Sequence, residues 1–264
     1  MHQLKIIISI VKRSSPALYG IVLFHLLLAI FCLGGLLLDD RTLVGVNVWV
    51  KPLKFAISGA IYIFSVGYLI TLYPFSQKKK SWITNIVAWT LFIEIGIILT
   101  QAARGVQSHY NNETVLDSLL FLGMGILIGI NVVIMLLFII ETLRLKLAVP
   151  KPMQWAIFFG WCIVLFGSWV GGQMISQLGH SVGVADGGEG IPLLNWSTVA
   201  GDLRVAHFFG LHALQIVPLF AFLMNRKSKF TQNQQLIVVT LFALVYTAFI
   251  GYTFYQAKMA YPFL

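Results

Sequence analysis

The chain has 264 residues, 58% of them hydrophobic and only 10% charged, where a soluble domain carries about 25% charge. Long apolar runs recur from end to end, so the expected class is all-α: a polytopic membrane bundle in a single transmembrane domain covering 1–264. The net charge of +9 does not imply nucleic acid, because the cations sit in short loops between apolar runs.

Seven spans are predicted, at about 17–38, 53–73, 82–103, 117–143, 153–177, 203–224 and 233–257. Lys5, Lys12 and Arg13 precede the first. No A-x-A cleavage pattern follows it, and Phe31 ahead of Cys32 spoils a lipoprotein-type site, so the run reads as a retained helix. Cys32 and Cys162 lie in separate apolar runs with no CxxC and read as small buried residues. Gly125-x3-Gly129 and Gly167-x3-Gly171 read as faces for close helix packing.

The loops set the expected orientation. Lys5, Lys12, Arg13, Lys78, Lys79, Lys80, Arg144, Lys146, Lys151, Arg226, Lys227 and Lys229 fall on one side, with Glu141 as the lone acid. The other side mixes Arg41, Lys51, Lys54, Arg104, Arg204 and Lys258 with Asp39, Asp40, Glu113, Asp117, Asp186, Glu189 and Asp202. The positive-inside rule then puts the N-terminus in the cytoplasm and the C-terminus outside. The expected location is a cell membrane or bacterial inner membrane, with the functional face extracytoplasmic. The longest outer loop, 178–202, is Gly-rich and reads as a lid or a plain connector. Trp49, Trp169 and Trp196 near the outer boundary read as interface anchors. Asn112-Glu113-Thr114 matches the N-glycosylation tripeptide, a frequent chance match.

Polar residues inside the spans fall in stripes at about 100° per residue. The second span carries Lys51, Lys54, Ser58, Tyr62 and Ser65; the third, Glu94, Gln101 and Arg104. The fifth carries Gln173, Ser176, Gln177 and His180. In the sixth, read as one unbroken helix, Arg204, His207, Gln215 and His212 share an arc of about 140°. Asp202 falls opposite them and suits a helix cap. The four stripes are expected to converge on an outward-opening polar funnel that reaches Glu94.

These residue types suggest roles. Glu94 is the one acid deep in a span: an ion pair with Arg104 or a lysine, or a proton carrier. His109, His180, His207 and His212 all belong to the outer half and are candidate ligands for a divalent metal such as zinc, or for haem b. His207 and His212 are five apart and cannot chelate together from one helix face. Arg104 and Arg204, with Lys54, Gln101, Gln173 and Gln215, would hold an anionic or lipid-like small molecule. Glu94 or Asp202 would handle protons as the catalytic residue. The leading expectation is a metal-assisted enzyme acting on a lipid or anionic amphiphile within the bilayer. The alternatives are a b-type haem electron-transfer protein and a transporter or small-ligand-binding protein. His25 reads as packing. Ser108 beside His109 carries little weight as a nucleophile and base, since neighbouring residues seldom bond productively.

Overall fold

A computed structural model describes residues 2–227 and 229–264. It is an all-α membrane-type protein. Six helices are long and apolar enough to cross a bilayer, and a pair of shorter helices bent by 47° makes a seventh candidate span. The helices are α1 (His2–Ser14), α2 (Pro16–Leu38), α3 (Val50–Leu69, continued by a 3-10 turn Ile70–Leu72), α4 (Gln77–Arg104), α5 (Val115–Arg144), α6 (Lys151–Ser176), α7 (Leu203–Leu211), α8 (Ala213–Lys227) and α9 (Gln232–Lys258). Two small hairpins complete it. β1 (Thr42–Leu43) pairs with β2 (Val46–Asn47), and β3 (Ser181–Val182) with β4 (Gly201–Asp202), both antiparallel. The chain divides into two compact units, one ending at Asn131 and the other beginning at Val132, inside α5.

Local chemistry sets the helix ends. Pro16 opens α2, where its missing N–H costs nothing. Ser76 caps α4 by accepting from the Lys79 backbone, and Gly105 ends that helix at φ 74°. Thr231 and Gln234 form a reciprocal capping box on α9. Large apolar side chains stay exposed along the spans, Leu27 and Ile30 on α2 at 64% each and Val133 on α5 at 65%. In water such a surface would be a liability; in lipid it is ordinary.

In the first unit α2, α3 and α4 pack together. Val11, Leu18, Ile21, Val22, Ala60, Ile63 and Ala88 make one buried cluster. Cys32, Val48, Trp49, Leu53 and Ala56 belong to another. A Cβ on Gly67 would lie 2.7 Å from Leu18 Cδ2, so the Leu18 side chain would have to shift. The basic segment before the first span is itself helical and forms α1.

In the second unit α6 packs against α7, α8 and α9. α6 and α7 meet backbone to backbone, and a Cβ on Gly210 would lie 2.6 Å from Gly167 Cα. A Cβ on Gly171 would lie 2.9 Å from His207 Cε1. Gly125 and Gly129, the other expected packing pair, face open space.

The expected sixth span is the main departure. It is broken at His212, which ends α7, so the single arc does not extend across to Gln215 on α8. The bend falls between Gly210 and Pro218, the two residues of the segment that weaken a helix. Trp196 also differs from expectation. It is 6% exposed and packs on Phe208, Phe209 and Phe263 rather than anchoring at an interface. Trp49 is likewise buried, with its indole N–H donating to Asp39 at 2.8 Å.

Candidate functional sites in the two units

Glu94 sits in the interior of α4 and is 4% exposed. Its Oε2 has no hydrogen-bond partner. Arg104 does not pair with it. Instead Arg104 Nη1 donates to Asp117 Oδ1 at 2.7 Å, and Gln101 Nε2 donates to the same oxygen at 2.7 Å. Thr114 Oγ1 donates to Asp117 Oδ2 at 2.6 Å, and Arg104 also donates to Gln101 Oε1. Both expected ligand-holding residues of α4 are thus engaged in a knot that ties its end to the start of α5. Asp117, its 2%-exposed centre, was not among the expected site residues. An acid in the first helical turn, three residues after a threonine, was the available signal.

The cation near Glu94 is Lys51, which stands within electrostatic reach of it. Lys51 Nζ lies 3.3 Å from His109 Nδ1. Ser108 Oγ is 3.1 Å from the same nitrogen. Phe55 and Phe121 flank the imidazole. Lys54, one turn further along α3, is half-buried. Among the described residues, three more polar atoms in this unit are buried without partners: Tyr62 Oη, His25 Nε2 and Asn131 Oδ1. His25 Nδ1 bonds to the Ile21 carbonyl at 2.8 Å. At the loop end, Leu43, Gly105, Val106, Gln107, Tyr110, Asn111 and Glu113 line an open groove of about 210 Å³. Arg41 closes that end by donating to the Ala103 carbonyl at 3.0 Å. Hydrogen bonds from the Arg41 side chain and the Trp49 indole hold the Asp39 carboxyl well below the usual carboxylate range.

The second unit holds the other three candidate histidines. Asp186 accepts from the His180 backbone at 3.0 Å, from the Ser181 backbone at 2.8 Å, and from the His180 ring at 2.6 Å. Burial pushes its carboxyl up, but the bonds from His180 and Ser181 outweigh that and hold it well below the usual range. His207 Nδ1 bonds to the Gly167 carbonyl at 2.8 Å, and the ring lies within electrostatic reach of His180 and His212. His212 bonds to Gln215. Gln173 is half-buried; Ser176 and Gln177 are exposed. Among the described residues, no three of His, Cys, Asp and Glu stand close enough to hold a metal ion.

Asp202 caps α7, as its position suggested, by accepting from the Arg204 backbone at 2.9 Å. It also accepts from Arg204 Nη2 at 2.6 Å and from the Ser197 backbone at 2.9 Å. Arg204 donates onward to the Asn195 carbonyl. The 178–202 loop is therefore packed down by Asp186, Asp202 and Trp196. The stripes of α3 and α4 belong to the first unit, and those of α6, α7 and α8 to the second. No protein-family model, curated protein or solved structure matches this chain.

Proposed function

We propose that this is a proton-coupled membrane carrier in which Glu94 is the coupling residue. One observation carries the reading: a carboxyl oxygen sealed inside a membrane span with no donor to satisfy it. Such an oxygen needs a proton of its own or a visiting cation, and intramembrane carboxyls of this kind mark ion and proton paths. Lys51 and His109 supply a route between Glu94 and the end bearing loops 39–49 and 105–114. The two arginines expected to grip an anion are held by Asp117 and Asp202, which lowers the support for an anionic or lipid-like ligand there. The positive-inside rule puts those loops outside and the N-terminus in the cytoplasm. A cysteine replacing Glu189 tests that orientation, because it should react with impermeant reagent added outside intact cells.

The coupling role is tested in proteoliposomes loaded with a pH-sensitive dye. After an imposed pH step, the wild type should move protons well above protein-free vesicles. Glu94→Gln should cut that movement by at least about a hundredfold, the lower end of what one proton-transfer group contributes, and His109→Ala should slow it. Wild-type behaviour in Glu94→Gln would refute the reading.

A second reading rests on the histidines of the second unit. The ring Nδ1 atoms of His180 and His207 are held by a carboxylate and a carbonyl, the kind of hydrogen bond that metal-ligating histidines also make. Haem b or a divalent ion would bind there in an electron-transfer protein or a metal-assisted enzyme acting on lipid. An absorbance spectrum with metal analysis on the same sample decides it. A Soret band or stoichiometric metal, lost in His207→Ala, would support it, and a colourless, metal-free, folded protein would remove it.

A further inference from the structure

The end of the first unit that carries α1 holds Lys5, Lys12, Arg13, Lys78, Lys79 and Lys80, and the sequence has no Asp or Glu within 1–38 or 50–93. Both basic segments stand at that end. Val11 of α1 packs with Leu18 beside Gly67, and Lys80 Nζ donates to the Thr71 carbonyl at 3.3 Å. Going round α1 at about 100° per residue, Ile7, Val11 and Ile8 form one face, and their burial shows that it meets the rest of the unit. Lys5, Lys12 and Arg13 occupy the adjoining arc and are exposed. Ile6 and Ile10 follow, and stay 41% and 37% exposed. Trp82, near the start of α4, is 67% exposed.

This is a two-sided pattern. One helix face is fixed to the protein, and the free surface mixes large aliphatics with cations. At a membrane interface the aliphatics reach the acyl boundary while the cations meet phosphates, and an exposed tryptophan belongs at the same level. We propose that α1 lies in the membrane interface and binds anionic phospholipid headgroups through Lys5, Lys12 and Arg13. The charge complementarity is unopposed, since no carboxylate of either neighbouring segment competes for these cations. This binding does not depend on the role given to Glu94.

The test uses the full chain reconstituted in phosphatidylcholine vesicles containing a trace of spin-labelled phosphatidylglycerol or spin-labelled phosphatidylcholine. The protein should immobilise the anionic label in severalfold preference, since each cation near the surface is worth up to about fivefold. Added salt should lower the preference. Replacing Lys5, Lys12 and Arg13 together by Gln should bring it close to parity while circular dichroism stays unchanged. A second measurement guards against misfolding of that variant: a nitroxide on Ile10→Cys should be more accessible to oxygen than to a water-soluble nickel complex. Parity in the wild type, a preference that survives the triple substitution, or a water-exposed nitroxide would each overturn the proposal.

Discussion

Asp202→Ala should unfold the second unit's loop end, and the size of the effect separates a structural carboxylate from a catalytic one. Asp202 is 2% exposed. Its carboxylate accepts from the Ser197 backbone and from both the backbone and guanidinium of Arg204. Loss of a helix cap costs about 0.5–2 kcal/mol. Stranding one partner of a buried ion pair costs about 3–5 kcal/mol. The two terms describe one carboxylate and overlap, so the expected total is about 3–5 kcal/mol. Arg204→Ala should cost less, about 1.5–3 kcal/mol, because Asp202 keeps its backbone donors. The double variant should fall short of the sum, with a coupling of at least about 1 kcal/mol. Equilibrium unfolding in mixed micelles, run on all four proteins, measures this. Additivity to within about 0.5 kcal/mol, or an Asp202→Ala protein as stable as the wild type, would refute the reasoning.

Gly210→Ala would place a methyl against the α6 backbone at Gly167. It should cost about 1–3 kcal/mol by overpacking, whereas Gly125→Ala, facing open space, should shift stability by less than about 0.5 kcal/mol; thermal unfolding compares them. Asp117→Ala should lower the free energy of local opening of 105–114 by at least about 1.5 kcal/mol, read by hydrogen exchange there. The Asp186 carboxyl is held below its unfolded value of 3.8. Its contribution is therefore complete above about pH 4 and is lost as pH falls through the folded value. Exchange protection in 178–202 should drop on acidification below that point, and Asp186→Asn should remove the dependence.

The spans were legible because a bilayer demands some twenty apolar residues per crossing, and each predicted span overlaps an observed helix or, in the sixth, a pair. What periodicity could not give was the break at His212. A helical wheel assumes a straight axis, and the close approach of Gly210 to Gly167 is a tertiary fact. α1 was missed because its apolar run is short and carries cations, the features of an interfacial helix rather than a spanning one. Glu94 stood out on cost alone, as any carboxyl in a span must. Its partners did not: Arg104 lies one face away on the same helix, yet its guanidinium goes to Asp117, a residue on the next helix. The cap at Asp202 was readable because capping depends on neighbours in sequence.

The central claim is that Glu94 exchanges a proton with the end of the molecule bearing loops 39–49 and 105–114, through Lys51 and His109. Infrared difference spectroscopy on reconstituted protein, with the pH stepped on that side of the membrane alone, tests it most directly. The account predicts a carboxyl band that responds to the step, is absent from Glu94→Gln, and is slowed or shifted in Lys51→Met and His109→Ala. A difference spectrum that is the same in wild type and Glu94→Gln would contradict it.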